Sequence, residues 1–322
     1  MRRHITYRRI IYAILTSTLF FSACAGREKE SNLQTLQNET QNAQPENKED
    51  TEESVAASKD ERMQEKKPKV IETDWSKYFD GLYGTAVLYD AAVGQYQIFN
   101  RKAASARRSP CSTFKIISSL AALENGILNP QDSMRTWSGE TFWNKDWNRD
   151  IDFYEAFRVS CVWYFRQLTD EVGQEKMQQI VDQLRYGNCD LSDWEGRLNT
   201  NNQNRALTGF WIESSLAISP KEQVKVMKRI FADQSVYSKN TQNILKQAMR
   251  LNVHTDEDTD QYPIYGKTGM GVAQGKTIDA WYTGFMERPQ GNVYFCVWLG
   301  QTDAKEISSA AAREIAVRIL TR

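Results

Sequence analysis

Between Phe21 and Trp75 the chain carries no aromatic residue, and all nine of its tryptophans lie from Trp75 onward. Glu, Gln, Asn, Lys and Ser dominate the aromatic-free stretch. Such a segment cannot bury enough apolar surface to offset its ordering entropy. It is read as a flexible tether over residues 24–73. Any packed core is thereby confined to residues 74–322, a length suited to one domain. No internal repeat breaks that span.

Upstream of the tether, Arg2, Arg3, Arg8 and Arg9 precede an apolar run from Ile10 to Phe21. The run is too short to span a bilayer comfortably and reads as an export signal over residues 1–23. It ends in Phe21-Ser22-Ala23-Cys24, small residues before a cysteine, as at a lipoprotein processing site. The expectation is lipidation of Cys24 and anchoring to the extracytoplasmic face of the cell membrane. Ordinary secretion, with Cys24 unmodified, is the alternative. The 41 basic side chains balance 41 acidic ones, which offers nothing to nucleic acid. No protein partner is implied. With two histidines, His4 in the signal and His254 alone in a polar stretch, no metal site is expected.

Within the packed part, Thr85–Asp90 and Gln95–Asn100 read as a β-hairpin around Gly94. Residues 131–247 read as mostly helical by period, most cleanly over Glu175–Leu184. The aromatic run from Trp137 to Phe165 reads as packing rather than a ligand box. Strands return at 261–267, 279–286 and 292–299. A last helix over 308–320 turns Ala311, Ile315, Ile319 and Leu320 to the core. Strands at both ends with helices between predict an α+β fold: one antiparallel β-sheet flanked by helices, with a helical insert. A cleft is expected where insert meets sheet.

Chemistry concentrates in Ser109-Pro-Cys-Ser112-Thr-Phe-Lys115. A serine nucleophile needs a base, and a chain this poor in histidine must find another. Lys115 lies three residues after Ser112, a spacing that puts both on one helix face. Ser109 suits an N-cap, Pro110 the first helical position and Gly126 the stop. Ser112 then falls in the first turn, where unpaired backbone N–H groups can stabilise an oxyanion. Phe114, Ile116 and Ile117 flank Lys115, so its amine is expected to be desolvated and able to lose its proton. Alone, Ser-x-x-Lys is a weak motif. Two more segments stand out. Ser160-Cys161-Val162 precedes a helical run. Lys267-Thr268-Gly269 ends a strand, where lysine and hydroxyl suit a carboxylate and glycine permits close approach.

In this order, Ser-x-x-Lys, Ser-x-Val and Lys-Thr-Gly resemble the serine penicillin-recognising enzymes. The finer resemblance is to class D β-lactamases. It rests on Ser112-Thr-Phe-Lys115, Ser160-Cys-Val162, Tyr186-Gly187-Asn188, Phe210-Trp211-Ile212-Glu213, Lys267-Thr-Gly269 and the strand Ala280-Trp-Tyr-Thr-Gly284. It covers the chain from about Trp75 to the C-terminus. The tethered, lipoprotein-like form is most similar to enzymes of Gram-positive anaerobes such as clostridia.

The resemblance implies a serine β-lactamase or penicillin-binding transpeptidase-like fold and hydrolysis of β-lactams through a Ser112 acyl-enzyme. Lys115 would react with CO2 to become N6-carboxylysine, the general base; no other cofactor is implied. Trp211 would support that group through its indole N–H. Ser160 would relay a proton to the leaving nitrogen, assisted by Lys267. Lys267, Thr268, Gly269 and Arg313 would hold the drug's carboxylate. Backbone N–H groups of Ser112 and Met270 would form the oxyanion hole. Val162 and Ile212 would shape water access and drug preference.

Cys111 and Cys161 each adjoin an active serine and are a candidate disulfide, one of three complete pairings open to the four cysteines left after lipidation. Two competing functions remain. One is an antibiotic sensor that acylates without turnover; such sensors usually sit behind several membrane helices and a His-Glu-x-x-His segment, neither of which appears here. The other is a cell-wall transpeptidase, which more often carries Ser-x-Asn.

Overall fold

A computed structural model describes residues 68–200, 203–251 and 262–322. The signal segment, Cys24, all but the last residues of the tether, and His254 lie outside the described residues. Six strands form one sheet: β1 (Lys69–Glu72), β2 (Gly84–Asp90), β3 (Gln95–Phe99), β4 (Ile264–Ala273), β5 (Lys276–Met286) and β6 (Val293–Gly300). Their order is β1-β3-β2-β6-β5-β4. Every pairing is antiparallel except β1 with β3. The helices are α1 (Ser76–Phe79), α2 (Arg101–Ser105), α3 (Lys115–Glu124), α4 (Phe153–Arg158), α5 (Val162–Val172), α6 (Gln174–Leu184), α7 (Pro220–Phe231), α8 (Lys239–Met249) and α9 (Ser309–Leu320).

The sheet is buried on both faces. Along β2, Val87 and Tyr89 join the core under the helical insert, while Ala86 and Leu88 join the core under α1 and α9. This is the two-residue alternation of a strand, with apolar side chains required on both sides. The predicted hairpin forms at its expected place, with Ala86 opposite Phe99 and Asp90 opposite Gln95. The terminal helix packs Ile315 and Ile319 on the sheet, as its period implies, whereas Ala311 is only partly buried.

Four local expectations are corrected. β1 occupies Lys69–Glu72, inside the stretch read as tether; Val70 and Ile71 give it enough apolar surface to pair with β3. The span 131–247 is helical only in part. Residues 131–152, 185–200 and 203–219 are mostly irregular and are held by side chains: Tyr164 Oη donates to Ser133 O at 2.9 Å, Trp163 Nε1 to Trp147 O at 2.9 Å, and Asn188 Nδ2 to Ser215 O at 2.8 Å. The aromatic run is packing as expected, with Trp147, Phe153, Phe157 and Phe165 buried. β4 runs past Lys267-Thr268-Gly269 to Ala273 and turns into β5 through Gln274 and Gly275, both at positive φ (51° and 75°). A glutamine at the first such position is an unusual turn residue, so the hairpin signal is weak in sequence. Finally, Ser109 caps no helix. Residues Cys111–Phe114 form a 3-10 turn, and α3 starts only at Lys115.

Candidate active site

The Cys111–Phe114 turn is held from three sides. Cys111 N–H donates to Trp211 O at 2.9 Å, with Cys111 itself in left-handed backbone (φ 49°). Thr113 Oγ1 donates to Pro110 O at 2.7 Å and accepts from Gln223 Nε2 at 2.9 Å. Phe114 is buried against Trp211, Phe210 and Tyr186. Ser112 is thereby fixed at a half-buried position.

Lys115, the first residue of α3, is 1% exposed. Its Nζ donates to Ser112 Oγ at 2.8 Å and lies 5.4 Å from the Phe165 ring centre. Burial pulls the amine down to about 8 from the usual 10.5. The predicted (i, i+3) pair is therefore made, although a 3-10 turn rather than an α-helix presents Ser112.

A second pair faces it. Ser160, left-handed at φ 58°, lies between α4 and α5. Lys267 Nζ reaches Ser160 Oγ at 3.0 Å, Thr268 O at 3.0 Å and Thr268 Oγ1 at 3.3 Å. Burial, and then the charge of Lys115, hold the Lys267 amine well below the ordinary lysine value. Among the described residues no carboxylate bonds either amine. Two buried lysines so placed favour loss of a proton, and each then has a hydroxyl with which to exchange one.

β4 lies directly against the nucleophile turn because it lacks side chains there. A Cβ on Gly269 would sit 3.0 Å from Thr113 Cγ2 and 3.1 Å from Pro110 O; one on Gly271 would sit 3.1 Å from Cys111 Sγ. Gly269 thus admits the protein's own turn, where the sequence suggested approach of a ligand. Met270 between them is 39% exposed. Val162 and Ile212 are half-buried. Arg313, exposed on α9, lines a cavity of about 240 Å³ with Lys267, Thr268, Gly266 and Tyr282. Trp211 is 1% exposed and stacks on Phe114, next in the chain to Lys115.

The Tyr186-Gly187-Asn188 segment fastens a loop. A Cβ on Gly187 would strike Ala217 O at 2.0 Å, and Asn188 Oδ1 accepts from Ala217 N–H at 2.9 Å.

The candidate disulfide does not form. Cys111, Cys161, Cys189 and Cys296 are free thiols. The two serines converge, but Cys111 Sγ turns back to Ser109 O (3.6 Å), and Cys161 takes the N-cap of α5 beside the Trp163 and Tyr164 N–H groups. Burial pushes Cys161 up to about 11 and Cys111 higher still. Among the described residues no cluster could hold a metal ion. The sequence reads Ser109 as a helix cap and gives Glu213 no role; Glu213 is marked only by its place in the Phe210-Trp211-Ile212-Glu213 run.

A six-stranded sheet with a Ser-x-x-Lys turn set between it and a helical layer defines a transpeptidase-like domain. The profile of the penicillin binding protein transpeptidase domain matches residues 84–321, and the chain belongs to that family. It is 30% identical over 239 residues to "Probable beta-lactamase YbxI" of Bacillus subtilis, covering 74% of this chain and 80% of that protein. It is 31% identical over 251 residues to "Regulatory protein BlaR1" of Bacillus licheniformis, covering 77% of this chain but 38% of that longer protein. Among solved structures, the C-terminal domain of the Bacillus licheniformis BlaR penicillin-receptor matches with a TM-score of 0.67 at 31% identity, covering 79% of this chain and 96% of that one. The class D β-lactamase of Bacillus subtilis matches with a TM-score of 0.65 at 30% identity, covering 77% and 94%.

Proposed function

We propose that the protein hydrolyses β-lactam antibiotics through an acyl-enzyme on Ser112, as a class D serine β-lactamase. The observation that carries this is the pair of buried lysines, each bonded to a serine: Lys115 to Ser112 at 2.8 Å and Lys267 to Ser160 at 3.0 Å. In the proposed reaction the neutral Lys115 side removes the Ser112 proton as Oγ attacks the lactam carbonyl. The carbonyl oxygen, now negative, is held by the N–H groups of Ser112 and Met270. When the C–N bond breaks, the Ser160 hydroxyl gives its proton to the ring nitrogen and is reprotonated from the Lys115 and Lys267 side. Water then attacks the ester, gives its proton back toward Lys115 and releases the opened drug with Ser112 restored.

Lys267, Thr268 and Arg313 hold the drug's carboxylate. Val162 and Ile212 border the space where the deacylating water approaches. A desolvated, partly neutral Lys115 amine fits reaction with CO2, and the N-carboxylated side chain, supported by Trp211, would supply both half-reactions with a base that stays deprotonated at neutral pH. Export and lipidation at Cys24, in the manner of clostridial lipoprotein enzymes, would hold the domain at the membrane surface.

The BlaR1 relatives favour one second reading, a sensor domain that acylates and stays acylated. Turnover separates the two. A chromogenic cephalosporin given in hundredfold excess to the mature chain should be consumed completely, with bicarbonate restoring activity to decarboxylated protein. A single burst equal to the protein concentration, indifferent to bicarbonate, would establish the sensor instead. Membrane fractionation and intact mass of the N-terminal peptide test the lipid anchor.

A further inference from the structure

Phe210-Trp211-Ile212-Glu213 carries one carboxylate, and the reaction above gives it no task. Glu213 sits in left-handed backbone (φ 50°), a conformation costly to any side chain with a Cβ. Its backbone N–H donates to Ser109 Oγ at 2.8 Å, and Ser109 Oγ donates to Trp211 O at 2.9 Å. Cys111 N–H donates to the same Trp211 carbonyl. Residues 211–213 are thus stitched to the start of the nucleophile turn, one residue short of Ser112. The carboxylate faces the other way. Glu213 Oε1 accepts from Val272 N–H on β4, where the β4–β5 register shifts between Gly271 and Val272, and Oε2 lies 3.5 Å from Thr200 Oγ1. Burial, with Asp279 nearby, pushes this carboxyl up, and no salt bridge to it is found among the described residues. A half-buried carboxylate without a cation is expensive to keep unless it holds something.

We propose that Glu213 is a positioning residue that ties the nucleophile turn to β4 and so sets the separation of the Ser112 and Met270 N–H groups. Gly269 and Gly271 limit how close strand and turn can come, since contact resists only approach. The Ser109–Trp211–Glu213–Val272 chain of hydrogen bonds limits how far they can part. Met270 lies two residues from the Val272 end of that chain, and Ser112 one residue from the Cys111 end. The role assigned to these N–H groups rests on the acyl-enzyme reading; the tie between turn and strand does not.

Two measurements on the full chain test this: amide hydrogen exchange, and the kinetics of acylation by a fluorescent penicillin. In Glu213→Ala the Val272 amide should exchange at least about 10-fold faster than in wild type. The acylation rate constant should fall about 10-fold while the noncovalent saturation constant stays within about twofold, because carboxylate binding is untouched. Glu213→Gln keeps an acceptor oxygen and should restore both to within about threefold. If Glu213→Ala folds poorly, Ser109→Ala breaks the same chain at its other end and should raise exchange at Cys111 and Glu213. Wild-type exchange at Val272 in Glu213→Ala, or a wild-type acylation rate constant in a variant with loosened amides, would overturn the proposal. Failure of wild-type protein to acylate at all would sink the functional reading, and the exchange result would still decide the tie.

Discussion

Two lysine–serine pairs meet in this site, and they are assembled in opposite ways. Ser112 and Lys115 are three residues apart on one turn and helix start, so local backbone geometry alone brings Nζ within 2.8 Å of Oγ. Ser160 and Lys267 are 107 residues apart and meet at 3.0 Å only when the helical insert docks on β4. The first pair costs almost no loop closure; the second depends on the whole domain being folded. Their surroundings differ too. Lys115 feels mainly its own burial, whereas Lys267 feels burial plus the charge of Lys115. The local pair is therefore suited to be the constant part of the chemistry. The long-range pair registers whether insert and sheet are correctly seated.

The strongest test of that division is Ser112→Ala, expected to reduce covalent labelling by a fluorescent penicillin at least about 1,000-fold. Labelling at the normal rate would move the nucleophile to the other pair. Next come the lysines. Lys115→Ala should slow acylation by about 1,000-fold and Lys267→Ala by about 100-fold, within the range of lost proton transfer. Equal losses would mean that the pairs work as one unit. Ser160→Ala should leave labelling in place and slow acylation by about 10-fold to 100-fold, read as the burst phase in stopped flow.

The smallest effect is on pH. Acylation should lose about tenfold per unit as pH falls below about 8, where the Lys115 amine gains its proton. The same shift appears in stability. Between about 8 and the ordinary lysine value of 10.5 the unfolded chain holds a proton that folded Lys115 has lost. Protons bound in the unfolded state then exceed those in the native state, so this residue's contribution to stability rises with pH through that window. Buried thiols and phenols shift the other way. The quantity to measure is thus the difference in unfolding free energy between wild type and Lys115→Met. Wild type should gain stability relative to Lys115→Met as pH climbs from about 8 to 10.5; an unchanged difference would mean an unshifted amine.

Legibility in the sequence follows the same local and long-range divide. The hairpin of β2 and β3, the α6 and α9 helices and the Ser112–Lys115 pair are short-range patterns and were readable directly. Ser160 with Lys267 has no spacing rule; only the ordered resemblance joined them. The misreadings were places where a local propensity lost to a distant partner. Ser109 is a good cap by type, but its hydroxyl goes to Trp211 O, 102 residues away. Cys111 and Cys161 neighbour converging serines, yet each thiol turns to its own backbone surroundings. Lys69–Glu72 is too short to announce itself, and forms a strand because β3 offers an edge. The irregular stretches 131–152, 185–200 and 203–219 hold their shape through tryptophan, tyrosine and asparagine side chains, which leave no periodic trace.

The glycines of β4 also bear on how this protein could be evolved toward new drugs. Positions 267, 269 and 271 are buried, whereas 268, 270 and 272 are more open. A side chain at 269 requires Thr113 and the backbone at Pro110 to give way together, which makes this the more restricted of the two glycine positions. At 271 the obstacle is one sulfur atom, Cys111 Sγ at 3.1 Å. An alanine at 271 would therefore fit more easily once Cys111 had been exchanged for something smaller, which couples the two positions. Adaptive substitutions on this strand should accumulate first at the exposed position 270, and those at 271 should be coupled to changes at 111.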